Sequence, residues 1–441
     1  MNKTIHVIGG GLAGSEAAYQ LAKIGYSVKL FEQRPKKSTE AHKTNYLAEL
    51  VCSNSFKSTE LINAHGLLKY ELNRYNSLIM EVAERNNIKG GKALVVDREN
   101  FSNDITETIY DNNNIEVIRE HITKIDENNN TIIATGPLSE NFLANNIGRH
   151  LNNDNLYFYD AISPTVIRES IDMSKAFWGS RYNNDDAYLN IPLTKDQYFK
   201  LVRMLNSAEK ADVHDFDKEL FFEGCLPVEE IARRGENTLR FGLMKPVGLN
   251  PPESFNKPYA IIQLRREDKE GTILNIVGFQ TRMKYGEQKR ILKSIPALKD
   301  VEIVRLGSMH RNTYINAKES LNYNLSLKTK NNIFLAGQIT GVEGYIESVM
   351  TGFISAIQMD RYIKDRSYYN FSKNTPSGAL LGYLFENVSD KIQPMNINFG
   401  LFPSIDIKLK KREKRELMVE KAKKWIEKQR IEILQNIEKG F

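Results

Sequence analysis

Cysteine is nearly absent from this chain, with only Cys52 and Cys225 among 441 residues. Two cysteines exclude a disulfide framework, and two thiols fit a reducing cytoplasm. With seven scattered histidines they leave no zinc-ligand spacing, so no metal is expected. No apolar run approaches the length that crosses a membrane. No signal peptide is expected either, because the first strand starts at once. There is no internal repeat and no long disordered linker, which excludes solenoids and arrays. What remains is the composition of a soluble globular protein, 41% hydrophobic and 26% charged, long enough for two or three domains. The abundant lysine and asparagine, as in Asn112 to Asn114 and Asn128 to Asn130, read as a low-GC genome rather than a functional signal.

Against these absences stands one dense signal at the N-terminus. The strand Ile5-His6-Val7-Ile8 runs into Gly9-Gly10-Gly11-Leu12-Ala13-Gly14. Gly9, Gly11 and Gly14 meet the spacing G-x-G-x-x-G, and a helical pattern follows from Ser15. A second strand then ends in an acid, Val28-Lys29-Leu30-Phe31-Glu32. In such a unit the first glycine makes the tight turn and the second lets the backbone approach a pyrophosphate. The third lets the helix pack on the strand, and the helix N-terminus receives the phosphates. Glu32 falls where a ribose hydroxyl would be held. Gly9, Gly10, Gly11, Leu12, Ala13, Gly14 and Glu32 are therefore the expected cofactor-binding residues.

Further along, Thr131-Ile132-Ile133-Ala134-Thr135-Gly136-Pro137 reads as a strand stopping at a glycine. Such an end is either an ordinary strand-to-turn junction or, as in flavoproteins of the two-dinucleotide-binding type, the place where the chain passes the adenine half of FAD; with the N-terminal fingerprint, Thr135 and Gly136 are expected there. Residues 165 to 300 mix strands and helices without a second fingerprint, as an inserted α+β domain would. The chain then returns with Asn332-Ile333-Phe334-Leu335-Ala336-Gly337-Gln338, a glycine turn to Gly341, and a helix from about Tyr345 to Tyr362. A helix N-terminus there can face the flavin and stabilise negative charge on it. Gly337, Gln338, Gly341 and Tyr345 join the expected cofactor contacts.

Net charge is +6, and from Asp406 onward 12 Lys or Arg against 7 Asp or Glu carry five of these charges. Met418, Ala422, Trp425, Ile433 and Ile437 recur there at near-helical spacing. This segment is either a helix docked by its apolar stripe or a phosphate-contacting surface for RNA. Each cysteine is by default a small buried hydrophobe, although both have polar or glycine neighbours. His310 and Arg311 form a compact polar cluster, either a surface loop or a stacking contact to a heterocycle.

At this point the residues resemble a known family nearly end to end. Gly11-Leu12-Ala13-Gly14-Ser15-Glu16-Ala17-Ala18, Ala48-Glu49-Leu50-Val51-Cys52-Ser53-Asn54-Ser55 and Phe221-Phe222-Glu223-Gly224-Cys225 carry the resemblance. So do Met244 to Leu249, Met309 to Thr313, Gly337 to Tyr345 and Gln393 to Leu401. The chain resembles the flavin- and folate-dependent RNA uracil-C5 methyltransferases, the TrmFO family. The resemblance implies that 5,10-methylenetetrahydrofolate donates a one-carbon unit to reduced FAD, which passes it to C5 of a uridine in folded RNA. NADH or NADPH would supply reducing equivalents. The target would be a T-loop uridine of tRNA or, in small-genome bacteria, a uridine in 23S ribosomal RNA. Cys52 and Cys225 stand at the family's two functional cysteine positions, with neither assigned as the C6 nucleophile. His310, Arg311 and Tyr285 are the expected folate or substrate contacts, Tyr285 replacing a family tryptophan. The alternative is an FAD-dependent oxidoreductase acting on a small molecule. The expected fold is α/β: a Rossmann-type FAD-binding domain of the two-dinucleotide-binding flavoprotein class. It carries an inserted α+β domain and a basic C-terminal helix, divided as 1–165, 166–300 and 301–441.

Overall fold

The computed structural model describes residues 4–39, 41–137, 156–161, 163–182, 185–211, 226–255, 257–386, 394–405 and 409–438. The N-terminal strand, Thr4–Ile8, is β-branched at every position but His6 and buries Ile5, Val7 and Ile8. It lies inside a six-stranded sheet. In spatial order the strands are Ser326–Leu327, Lys330–Leu335, Asn130–Ile133, Thr4–Ile8, Ser27–Glu32 and Ile115–Arg119. All neighbours run parallel except the first pair. From Thr4–Ile8 the chain builds outward to Ser27–Glu32 and Ile115–Arg119, then returns to the opposite side of Thr4–Ile8. That reversal is the topological switch point at which open α/β sheets bind ligands.

Helix Leu12–Ile24 packs against this sheet and ends at Gly25, whose left-handed backbone returns its N–H to Leu21 and Ala22. Beside it lies the long helix Tyr345–Ile363, buried from Val349 to Asp360. The two helices touch backbone to backbone: a Cβ on Gly352 would fall 2.3 Å from the Ala13 carbonyl oxygen. Only glycine allows that approach.

A second sheet has six antiparallel strands in the order Phe177–Trp178, Tyr188–Leu193, Ala260–Arg266, Ile273–Ile276, Thr165–Ile167 and Ile303–Arg305. Its core is separate, built from residues such as Leu189, Ile191, Tyr198, Leu205, Ile262 and Leu274. A three-stranded sheet, Asn87–Ile88, Ala93–Val96 and Ser55–Ser58, stands apart from both.

The basic C-terminal helix, Lys411–Glu438, is docked on the first core by Val419, Ala422, Ile426 and Ile433. Met418 packs against that core, while Trp425 is half-buried with the Lys428 ammonium 5.0 Å from its ring centroid. Side-chain hydrogen bonds fasten the helix further. Gln429 donates to the Tyr75 hydroxyl at 2.7 Å and accepts from the Ser372 N–H at 2.6 Å, and Tyr369 donates to Glu432 at 2.6 Å. No helix among the described residues is long and apolar enough to cross a membrane.

Candidate cofactor and catalytic site

Three segments distant in sequence converge at the carboxyl edge of the parallel sheet. Strands Thr4–Ile8, Asn130–Ile133 and Lys330–Leu335 end side by side, so Gly9, Thr135 and Gly337 follow at the same edge. Gly9 has φ +106°, and a Cβ there would meet the Ala134 carbonyl oxygen at 2.3 Å and Thr135 Cα at 2.9 Å. Gly14 is equally constrained, since its Cβ would lie 1.8 Å from the Gly9 oxygen. The strand, turn and helix are therefore locked together by absent side chains.

Gly11 and Gly136 behave differently. A Cβ built on either meets nothing within 4 Å, so both face open space. Gly11 is the N-cap of helix Leu12–Ile24 and makes no side-chain cap, leaving the first N–H groups of that helix without one. Among the described residues the Thr135 hydroxyl is buried without a hydrogen-bond partner. An open cradle, a helix N-terminus and an unclaimed buried hydroxyl at one edge are what an adenine dinucleotide requires. The residues fit FAD.

Glu32 lies under the turn. One carboxylate oxygen accepts from the Gly10 N–H at 3.1 Å, the other from Arg34 N and Nε at 3.0 and 2.8 Å. Burial opposes the charge on Glu32, but the Arg34 guanidinium and N–H outweigh it and hold the carboxyl below its ordinary value. Arg34 itself is buried and also pairs with Glu49 at 2.9 Å. A carboxylate has about four acceptor sites, so one remains for a ribose hydroxyl. An alanine at position 10 would meet Leu47 at 2.6 Å and Glu32 at 2.9 Å, so the middle glycine of the triplet gives the carboxylate room.

On the opposite side of the edge, the Gly337 N–H donates to Thr351 Oγ1 at 2.7 Å, and the Gln338 amide bonds Glu343. Gly341 closes the short turn Gln338–Thr340. Tyr345 opens the next helix behind Gly344, again without a side-chain cap. Residues 395–397 brace this turn. The Glu343 N–H donates to the Met395 oxygen at 3.0 Å, Asn396 Nδ2 to the Glu343 oxygen at 2.7 Å, and the Ile397 N–H to Glu347 at 3.0 Å.

The Tyr345 hydroxyl accepts from the Cys52 N–H at 2.9 Å. The Cys52 carbonyl accepts from Arg98 Nη2 at 3.2 Å and Arg305 Nη2 at 3.3 Å. Arg98 also bonds the Leu50 carbonyl and is held by Glu267, with Nε 2.8 Å from the carboxylate. Asn54 ties the same loop across to the second sheet, donating to the Val96 and Arg266 carbonyls and accepting from Arg265 Nε. The cysteine loop thus sits where both sheets meet, with two guanidiniums bonded to its backbone.

Tyr285 begins helix Tyr285–Lys293 and is exposed. The strand Met309–Tyr314 carries His310 and Arg311 and pairs with Leu156–Ala161, placing them opposite Asp160 and Tyr159. Cys225 lies outside the described residues. A cleft of about 990 Å³ beside Gly90, Gly91, Trp178 and Asp186 is lined by none of the predicted residues. The sequence reading missed Arg34, Glu49, Arg98, Glu267 and Arg305. A signal existed for Arg98, since with Asp97 it forms a charged pair directly after the apolar strand Ala93–Val96, where helix Arg98–Tyr110 begins.

The switch point, the open glycine cradle and the second helix N-terminus define a Rossmann-type protein of the two-dinucleotide-binding flavoprotein class. The "Structure of Aquifex aeolicus GidA in the form II crystal" shares the fold, with a TM-score of 0.68 at 14% identity over 99% of this chain and 76% of that one. The model of the family "Glucose inhibited division protein A" matches residues 4–367. A protein of Natranaerobius thermophilus named "Methylenetetrahydrofolate--tRNA-(uracil-5-)-methyltransferase TrmFO" is 49% identical over 96% of this chain and 98% of its own length. A protein of Aquifex aeolicus with the same name is 49% identical, covering 97% of each. The chain belongs to the glucose-inhibited division protein A family and, within it, to the TrmFO family.

Proposed function

We propose that this chain is a methylenetetrahydrofolate- and FAD-dependent tRNA (uracil-5-)-methyltransferase. The observation that carries the reading is near-half identity, over nearly the full length, to relatives of that name. The small-molecule oxidoreductase has no comparable support. Bound FAD would supply redox and one-carbon-carrier chemistry between folate and RNA. Gly9, Gly11, Gly14, Thr135 and Gly136 would hold its adenine half, and Gly337 to Tyr345 its flavin half.

Uracil C5 is a weak nucleophile until a thiolate adds to C6, and a base must then take the C5 proton. Cys52 and Cys225 take these two protein roles. Cys52 has support from geometry: its N–H is fixed by Tyr345, and the Arg98 and Arg305 guanidiniums face its carbonyl. The positive charge there favours an anion on the same loop. NADH or NADPH serves as reductant. Leu12 and Ala13 position the helix that receives the phosphates, while His310, Arg311 and Tyr285 serve folate or RNA.

The test is to delete the gene and map 5-methyluridine in tRNA and in 23S rRNA. Loss from tRNA supports the reading; loss from rRNA alone moves the target, and loss from neither defeats it. RNA carrying 5-fluorouridine, which traps the C6 adduct, assigns the nucleophile. The cysteine whose alanine variant forms no adduct is the one that attacks.

A further inference from the structure

A surface on the second sheet's side of the molecule carries three large apolar side chains in open solvent. Phe241 is 73% exposed, Tyr182 65% and Val247 64%. Exposed apolar side chains gathered in one patch, rather than scattered singly, mark contact sites. Each of the two aromatic rings has a cation on it. The Lys245 ammonium is 5.6 Å from the Tyr182 ring centroid, and the Arg240 guanidinium is 5.2 Å from that of Phe241. The stretch from Thr238 to Pro252 contains Arg240 and Lys245 and no acid.

The arrangement is built into the backbone. Tyr182 has φ +62°, a left-handed conformation that is unfavourable for a residue with a side chain. It is held there by its own N–H, which donates to the Gly248 carbonyl at 2.7 Å. Gly248 has φ +86°, and a Cβ there would press on the Tyr182 ring at 2.6 Å. Arg240 is fixed as well, with its guanidinium 4.3 Å from the Tyr259 ring centroid and Nε donating to the Tyr259 carbonyl at 3.1 Å.

We propose that Tyr182 with Lys245 and Phe241 with Arg240 form two stacking platforms for unpaired bases of the RNA substrate. Aromatic faces receive the bases while the adjacent cations meet the phosphates. The inference rests on the RNA-modifying reading above and adds the surface that engages the RNA.

The experiment measures binding of an unmodified tRNA transcript to the flavin-loaded enzyme. Stacking is worth about 1–3 kcal/mol per base, so Tyr182→Ala and Phe241→Ala should each weaken binding by roughly 5- to 150-fold. Bound flavin, read from its absorbance, should stay at the wild-type level. Tyr182→Phe keeps the ring and should bind as the wild type does. Lys245→Gln and Arg240→Gln should flatten the salt dependence of binding. Unchanged affinity in both alanine variants would overturn the proposal, as would equal losses in Tyr182→Ala and Tyr182→Phe. A wild-type enzyme that makes no 5-methyluridine would instead defeat the parent reading.

Discussion

The hydroxyl of Tyr345 accepts a hydrogen bond from the backbone N–H of Cys52 at 2.9 Å, across 293 positions of sequence. One bond joins the first turn of the helix expected to face the flavin to the loop expected to carry a reactive thiol. Tyr345→Phe removes the acceptor and keeps the ring, which packs 5.7 Å from Phe56. A lost hydrogen bond of this kind costs about 1 kcal/mol. If the bond sets the thiol's position, methyl transfer should fall about five- to tenfold with flavin content unchanged. Transfer at the wild-type rate would show that the bond is structural only.

Arg98 bonds the Leu50 and Cys52 carbonyls while Glu267 holds its guanidinium. A lysine keeps the charge but has no planar fork to span these partners. Arg98→Lys should therefore lower methyl transfer by about tenfold or more while preserving FAD binding. Transfer rates of both enzymes under saturating RNA test this, and equal rates would mean that charge alone suffices.

Gly352→Ala places a methyl group 2.3 Å from the Ala13 carbonyl oxygen, where only backbone can give way. Overpacking of this kind costs about 1–3 kcal/mol. Because Ala13 belongs to the first turn of the phosphate-facing helix, the variant should lose bound flavin as well as thermal stability. A yellow variant with an unaltered melting temperature would refute the backbone contact.

Glu71 is fully buried, accepting from the Ser377 hydroxyl at 2.6 Å, the Ser377 N–H at 2.9 Å and the Tyr75 hydroxyl at 3.0 Å. Burial pushes its carboxyl up to about 7, against the pull of those hydrogen bonds. Unfolded, it returns to about 4.5. The folded state holds the proton more tightly, so its contribution is complete below about pH 4.5 and is lost as pH rises through about 7. Urea midpoints at about pH 5 and pH 8 should therefore differ more in the wild type than in Glu71→Gln. Parallel shifts in the two proteins would exclude Glu71 as the source.

The strand, glycine turn, helix and acidic strand end were legible because each is written in adjacent residues. Periodicity marked Ile5 to Ile8, and the glycine spacing marked the turn. The return at Gly337 was legible for the same reason. The Arg34, Glu32 and Glu49 network was not, since pairing partners 15 residues apart leave no periodic trace. Cys52 and Tyr345 were each singled out, yet no local pattern could say that they touch. The C-terminal stripe was half legible: Ala422 and Ile433 are core, while Val419, Ile426 and the polar anchor Gln429 depend on what helix Ala64–Arg74 presents to them.

The strand order of the parallel sheet also sets a schedule for the newborn chain. Lys330–Leu335 pairs with Asn130–Ile133 only after the ribosome has passed residue 335, whereas every strand of the antiparallel sheet is drawn from residues 165–305. Since domains tend to fold in order of synthesis, the inserted sheet can finish while the glycine turn waits for its last neighbour. A polypeptide that stops short of residue 335 therefore lacks the third strand of that edge and the Gly337 turn behind it.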